Sequence, residues 1–266
     1  MKTIMMTAAA AALAMAAACQ PAGNGNAPAG DAAVVETPAA EYEAAVANAA
    51  RSDADRARDK DRKPAETLAF IGLKTGDQVF EVEGGGGYFT ELYSYVVGDH
   101  GAVVMQNFQG FADYAKDEIA ARLDGNRLPN VRQSISLHDA LDAADESMDI
   151  ATWVQGPHEL YYKPEPDTDL GDPQGSFNEI FRILKPGGMF VVIDHAAEAG
   201  APTSTGNDLH RIDKAHVLKL AMNAGFVLSS ESEFLANPAD DHTKPVFDAS
   251  VSGHTDQFAL RFKKPH

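Results

Sequence analysis

Cysteine is almost absent: Cys19 is the single one in 266 residues, so no internal disulfide can staple the fold. Positive charge is scarce too. Lys and Arg number 22 against 39 Asp and Glu, a formal net charge of -17. A nucleic-acid backbone needs a basic face, and no Lys/Arg stripe exists here, which argues against nucleic-acid partners. The densest basic stretch, RSDADRARDKDRK (51–63), alternates with aspartates and reads as a solvated helix face. Long apolar runs are also missing. The run at 4–18 is Ala-rich and too short for a membrane-spanning helix. No compact metal-ligand motif such as HExxH occurs, because HELYY (158–162) lacks the second histidine, and no metal ligands are assigned.

What is present begins with MKTIMMTAAAAALAMAAAC, which has the form of an export signal: Lys2, an apolar stretch, then small residues. Cys19 directly after Ala16-Ala17-Ala18 resembles a lipoprotein signal, although Ala16 stands where leucine is usual. Ordinary cleavage at an Ala-x-Ala site is the alternative. The expectation is a signal over 1–19 and a periplasmic protein held to a membrane through a lipid on Cys19, without spanning it. Residues 20–45, rich in Ala, Pro, Gly and Asn, have no apolar period and are expected to be a flexible tether. The folded domain is then 46–266, with no internal repeat.

Helical patterns cover 42–59, a segment from Pro64, 88–97, 111–123, 176–184 and 213–224. Strand patterns cover 79–82, 102–105, 131–137, 148–154, 189–193, 226–230 and 258–262. The alternation implies an α/β fold: a Rossmann-like, doubly wound, mostly parallel seven-stranded sheet with an antiparallel last strand. Its ligand crevice lies at the C-terminal ends of the strands.

FEVEGGGGYFTELY (80–93) places four glycines between the first strand and a helix. Glycines there permit positive φ, close approach of a ligand to the backbone, and tight helix–strand packing. Asn107 ends the second strand, twenty positions after Gly87, where nucleotide-binding sheets place an acceptor for ribose hydroxyls. With RILKPGGMFVVID (182–194), this combination resembles class I S-adenosylmethionine-dependent methyltransferases. Glu81, Gly85 and Gly87 match that family's E/D-x-G-x-G-x-G pattern. Glu83 replaces its first glycine, and Asn107 its usual acidic residue. RKPAETLAF (62–70), GGGYFTE (85–91), HELYY, IDHAA (193–197), LHRID (209–213) and NPADDHTKPVFD (237–248) are similar to a subgroup of bacterial methyltransferases, often exported. The resemblance spans about 55–265. It implies S-adenosyl-L-methionine as cofactor, with Glu81 near its amino group, Gly85 and Gly87 bracketing it, Asn107 facing the ribose and Gln155 bordering the transfer site.

Ionisable residues gather at the strand ends: His158 and Glu159 after strand four, Asp194 and His195 after strand five, His210, Arg211 and Asp213 before the next helix. His158, Asp194, His195 and His210 are candidate catalytic groups, acting in general-base chemistry on an O or N nucleophile. A metal site built from His158, His195 and His210 is one alternative, and helix capping with buried hydrogen bonding is another. The leading expectation is methyl transfer to a small molecule. An exported, non-catalytic binding protein with the same fold competes with it. Trp153, Tyr161 and Tyr162 could line a substrate slot or be ordinary core and rim aromatics. Asp240, Asp241 and Asp248 could cover the crevice or serve turns.

Overall fold

The structure, a computed structural model, describes residues 39–163, 165 and 168–266. The expected signal, Cys19 and the tether through residue 38 lie outside the described residues. In chain order the elements are α1 (Ala40–Val46), α2 (Asp53–Arg62), α3 (Pro64–Ile71), β1 (Gln78–Val82), α4 (Tyr88–Val97), β2 (Ala102–Asn107), α5 (Gln109–Tyr114), α6 (Lys116–Leu123), β3 (Val131–Ile135), β4 (Met148–Val154), α7 (Pro173–Ile183), β5 (Leu184–His195), α8 (Thr205–Leu209), α9 (Lys214–Ala224), β6 (Val227–Ser232) and β7 (Gln257–Lys263).

The strands form one seven-stranded sheet in the order β3-β2-β1-β4-β5-β7-β6. The pairs from β3 through β5 are parallel, and β7 runs antiparallel to both β5 and β6. Parallel strands are covered on both faces, and side chains alternate between them. Phe80 and Val82 of β1, Ala151 and Trp153 of β4, and Phe190 and Val192 of β5 pack with Phe177 and Ile180 of α7 and Val217 of α9. Their alternates Val79, Ile150 and Val191 pack on the other face with Leu68 and Ile71 of α3 and Leu92 and Tyr93 of α4. Truncating one of these aromatics, Phe190→Ala for example, lowers stability by roughly 3–5 kcal/mol in such a core.

Several boundaries differ from the sequence patterns for identifiable reasons. The 42–59 helix is two helices, and the first starts at Ala40, inside the stretch expected to be tether. Tyr42 and Ala45 bury there, and Tyr42 Oη donates to Leu73 O at 2.7 Å. The 111–123 helix is interrupted at Ala115. LKPGG lies inside β5 as an irregularity: the register passes from Met148–Leu184 to Ile150–Met189, with Gly187 at φ 82°. The 51–63 stretch is not simply solvated, because its inner face carries paired charges. Arg51 chelates Asp59 at 2.6 and 2.8 Å, Asp55 pairs with Arg122 at 3.0 Å, and Tyr88 Oη donates to Asp59 at 2.6 Å. Burial of such charges is tolerable only in pairs. Helix α9 is capped as expected: Asp213 accepts from Ala215 N at 3.0 Å, and Gly225 closes the other end at φ 106°.

Candidate active site

The loop after β1 is held from β2. Glu83 N donates to Gln106 Oε1 at 2.9 Å and Gly84 N to Gln106 O at 2.8 Å. Asn107 grips Gly85 twice, accepting from its N–H at 2.9 Å and donating to its carbonyl at 3.1 Å. Gly87 needs its φ of 84° to enter α4, and a Cβ there would meet Arg122 Cδ at 2.7 Å. Arg122 Nε meanwhile donates to Gly86 O at 2.7 Å. Glu83, the residue in place of the first glycine, adopts φ 54° and so keeps the glycine-like turn. A non-glycine residue in that region is strained by about 1–3 kcal/mol, and the side chain is anchored in return. Its carboxyl turns inward, where Oε2 accepts from Trp153 Nε1 at 3.1 Å.

A buried polar group thus sits under the loop. Burial pushes Glu81 up to about 8, against the opposing hydrogen bond from Thr90 Oγ and the charge of Arg122. Burial, then the charge of Glu159, drives Glu83 well above the usual carboxylate range. His138, fully buried after β3, lies 3.8 Å from Glu83 Oε2, and burial pulls it down to about 4. Glu83 Oε1 and both His138 ring nitrogens have no hydrogen-bond partner, although buried polar atoms are normally satisfied. Arg62 lies over the Tyr88 ring at 4.7 Å and donates to Gln155 Oε1 at 3.0 Å. Burial and the neighbouring Arg58 bring Arg62 down to about 10.

The four candidate catalytic residues do converge. Asp194, buried at the end of β5, accepts from His158 N at 2.9 Å, from His195 N at 2.8 Å and from His158 Nδ1 at 2.7 Å. A carboxylate only accepts, so His158 carries its proton on Nδ1 in that pair. His158 Nε2 and His210 Nδ1 each lie 3.1 Å from Glu159 Oε1. Burial would lower His158, but the charge and hydrogen bond of Asp194, then those of Glu159, raise it to about 10. Burial would raise Glu159, but His158 and His210 hold it at about 2. His195 is the opposite case. Burial, then the positive charges of His158 and Arg211, keep it well below its ordinary value and therefore neutral. Its Nδ1 is 2.7 Å from Thr255 Oγ1.

The other residues singled out divide clearly. Gln155, at φ 59°, is fixed between Arg62 and Gln257 at the end of β4. Tyr162 packs on His210 at 4.6 Å, whereas Tyr161 Oη bonds His216 Nε2 at 2.5 Å. Trp153 is core. Asp241 and Asp248 close turns to Thr243 and Ser250, and Asp240 pairs with buried Arg211. Sequence reasoning missed His138 and Arg62. Nothing in the local pattern distinguishes a histidine after an edge strand, and Arg62 stood out only as the first residue of the RKPAETLAF segment, with no role attached.

A family model described as the ubiE/COQ5 methyltransferase family matches residues 59–210, more than half of the chain. The chain belongs to the ubiE/COQ5 methyltransferase family. Similar curated proteins are ubiquinone/menaquinone biosynthesis C-methyltransferases. The one from Teredinibacter turnerae is 26% identical over 196 residues, covering 73% of this chain and 68% of that protein. The one from Vibrio campbellii is 24% identical over 195 residues, covering 73% and 64%. The chain therefore spans about two thirds of these relatives' lengths. Among solved structures, a SAM-dependent methyltransferase from Aquifex aeolicus superposes with a TM-score of 0.54 at 19% identity, covering 78% of this chain and 98% of that one. The [4+2]-cyclase SpnF gives 0.55 at 22%, covering 82% and 86%. These likenesses bear on the fold alone.

The cofactor of the ubiE/COQ5 methyltransferase family is S-adenosyl-L-methionine, and the residues of this crevice fit it. Burial raises Glu81 to about 8 and Glu83 well above the usual carboxylate range, and a cationic ligand alongside would favour their charged forms. The orphaned atoms of Glu83 and His138 await partners. The Phe111 ring approaches Gly85, 3.4 Å from where a Cβ would stand, and Phe108 lies edge-on to His138. Both rings supply apolar surface beside the loop.

Proposed function

We propose that this family member transfers a methyl group from S-adenosyl-L-methionine to a nucleophilic oxygen or nitrogen of a small molecule, with His195 as general base. What supports the proposal is the shared rim: the glycine loop over buried Glu81 follows β1 and His195 ends β5, two strands joined through β4 in one parallel sheet, and burial holds His195 well below its ordinary value. The cofactor, when bound, supplies an electrophilic methyl group on a sulfonium. Glu81 would hold its amino group, and the 84–87 backbone would follow its length. Asn107 would keep that loop in shape through its two bonds to Gly85. With Nδ1–H donating to Thr255 Oγ1, His195 Nε2 carries the lone pair that takes the acceptor's proton. His158 cannot do so while Asp194 and Glu159 occupy both its nitrogens. Most of the acceleration would come from positioning. The relatives' names specify C-methylation in ubiquinone/menaquinone biosynthesis, which supports a small acceptor and makes a carbon nucleophile the competing outcome of the test. Tyr162 and Phe247, packed on His210 at 4.6 and 4.8 Å, offer aromatic walls for it.

Calorimetry tests the binding half. Wild type is expected to bind S-adenosylmethionine or its demethylated product at micromolar levels, Gly85→Val to lose binding, and Asn107→Ala to weaken it by roughly 10-fold or more, as loss of a buried hydrogen-bonded strut implies. Absence of heat with both ligands in folded wild type sinks the proposal.

We also propose that the enzyme works in the periplasm, anchored by a lipid at Cys19. The short apolar segment ending at the lone cysteine supports this. In cell fractionation, wild type is expected with membranes and Cys19→Ser in the soluble periplasmic fraction. Cytoplasmic recovery of wild type overturns it. Among the described residues, no helix is long and apolar enough to cross a membrane.

A further inference from the structure

We propose that His158, Glu159 and His210 form a binding site for a divalent transition-metal ion such as Zn²⁺ or Co²⁺. One ligand atom from each of His158, Glu159 and His210 lies within 4.8 Å of the other two. The two histidine nitrogens are each 3.1 Å from the carboxylate oxygen. Tetrahedral ligands about 2.0–2.1 Å from an ion stand roughly 3.3–3.4 Å apart, close to those separations. Two histidines and a carboxylate are a donor set suited to borderline ions, and three protein ligands leave a fourth position for water or an acceptor oxygen.

The surroundings are those of a metal-binding histidine. His158 gives its other nitrogen to Asp194 at 2.7 Å, and Asp194 is fixed by the backbone N–H groups of His158 and His195. A carboxylate behind a ligating histidine orients the ring and raises its basicity. The third ligand is brought in by a tight contact. A Cβ on Gly206 would be 2.5 Å from His158 O, so only glycine lets α8 dock on the Pro157–Tyr161 turn. His210 then leaves α8 at φ 53°, a conformation uncommon for a non-glycine residue, with Tyr162 and Phe247 packed on its ring. His195 lies alongside, its ring centroid 5.8 Å from that of His158. A metal here would hold an acceptor hydroxyl beside that base and ease its deprotonation. Only this last role rests on the methyl-transfer reading.

The test is titration of tag-free, chelator-stripped protein with Co²⁺, followed by visible d–d absorption, and with Zn²⁺, followed by calorimetry. One equivalent is expected to bind with a tetrahedral cobalt spectrum. Glu159→Gln and His210→Ala are expected to weaken binding by roughly 100-fold or more, and Asp194→Asn by about 10–100-fold. Glu159→Gln is nearly isosteric, so it keeps the test sharp even where another variant folds poorly. No saturable binding to folded wild type, or binding unchanged in both ligand variants, overturns the proposal and leaves a proton-bridged His–Glu–His cluster only. Cofactor binding by Glu159→Gln, measured separately, distinguishes failure here from failure of the methyl-transfer reading.

Discussion

Arg211→Met is expected to lower the unfolding free energy by about 3–5 kcal/mol, the effect of stripping one partner from a buried ion pair. Arg211 is fully buried. It donates to Lys244 O at 2.9 Å and Ala196 O at 3.0 Å, and it meets Asp240 at 2.9 and 3.1 Å. Asp240 in turn accepts from Asp256 N at 2.7 Å and His242 N at 3.1 Å. One guanidinium therefore ties the end of β5 and the start of α9 to the 240–256 segment. Without it the Asp240 carboxylate is buried beside backbone donors and no cation. In a domain of this size the loss corresponds to roughly 6–20 °C in Tm. Urea unfolding checks it, and a value within 0.5 kcal/mol of wild type would mean the pair is not formed. Arg211→Met with Asp240→Leu is expected to recover part of the loss, because the orphaned charge is gone.

Glu81→Gln is expected to weaken S-adenosylmethionine binding by roughly 10–100-fold, the value of a hydrogen bond to a charged group. The same residue makes binding pH-dependent. Burial raises Glu81 to about 8, so at pH 7 the free protein holds it mostly protonated. A cationic ligand favours the ionised form, so binding releases the proton and affinity climbs as pH rises toward 8. Calorimetry at pH 7 in buffers of different ionisation enthalpy counts those protons. About one is expected from Glu81, with a second if Glu83 also ionises, and Glu81→Gln should lower the count by one. An unchanged count would remove Glu81 from the binding site.

The strands were readable because a parallel sheet demands apolar residues on both faces, and β4 and α4 have the bounds that their apolar pattern implied. The glycine loop was readable because positive φ and close packing leave few residues able to stand at 84–87. The split at Ala115 and the irregular start of β5 were not. Each depends on what a helix or strand meets across the fold rather than on its own period. The 51–63 stretch misled for the same reason: alternating charge reads as solvated until Arg122 and Tyr88 supply its partners across the fold.

Residue types and spacing alone determined the α/β order, the loop between β1 and α4, and the placing of His158, Glu159, Asp194 and His195 at the C-terminal ends of β4 and β5. Topology follows from those, since consecutive parallel strands with helical crossovers bring their ends to one rim. The tertiary structure alone decided the role of each charged group there. His158 and His195 both lie at strand ends in sequence, yet one is held cationic between Asp194 and Glu159 and the other is kept neutral. Burial lowers both; the difference comes from the carboxylates of Asp194 and Glu159, within about 3 Å of His158, whereas His195 faces the positive charges of His158 and Arg211. A protonation state is set by the field of all such neighbours at once.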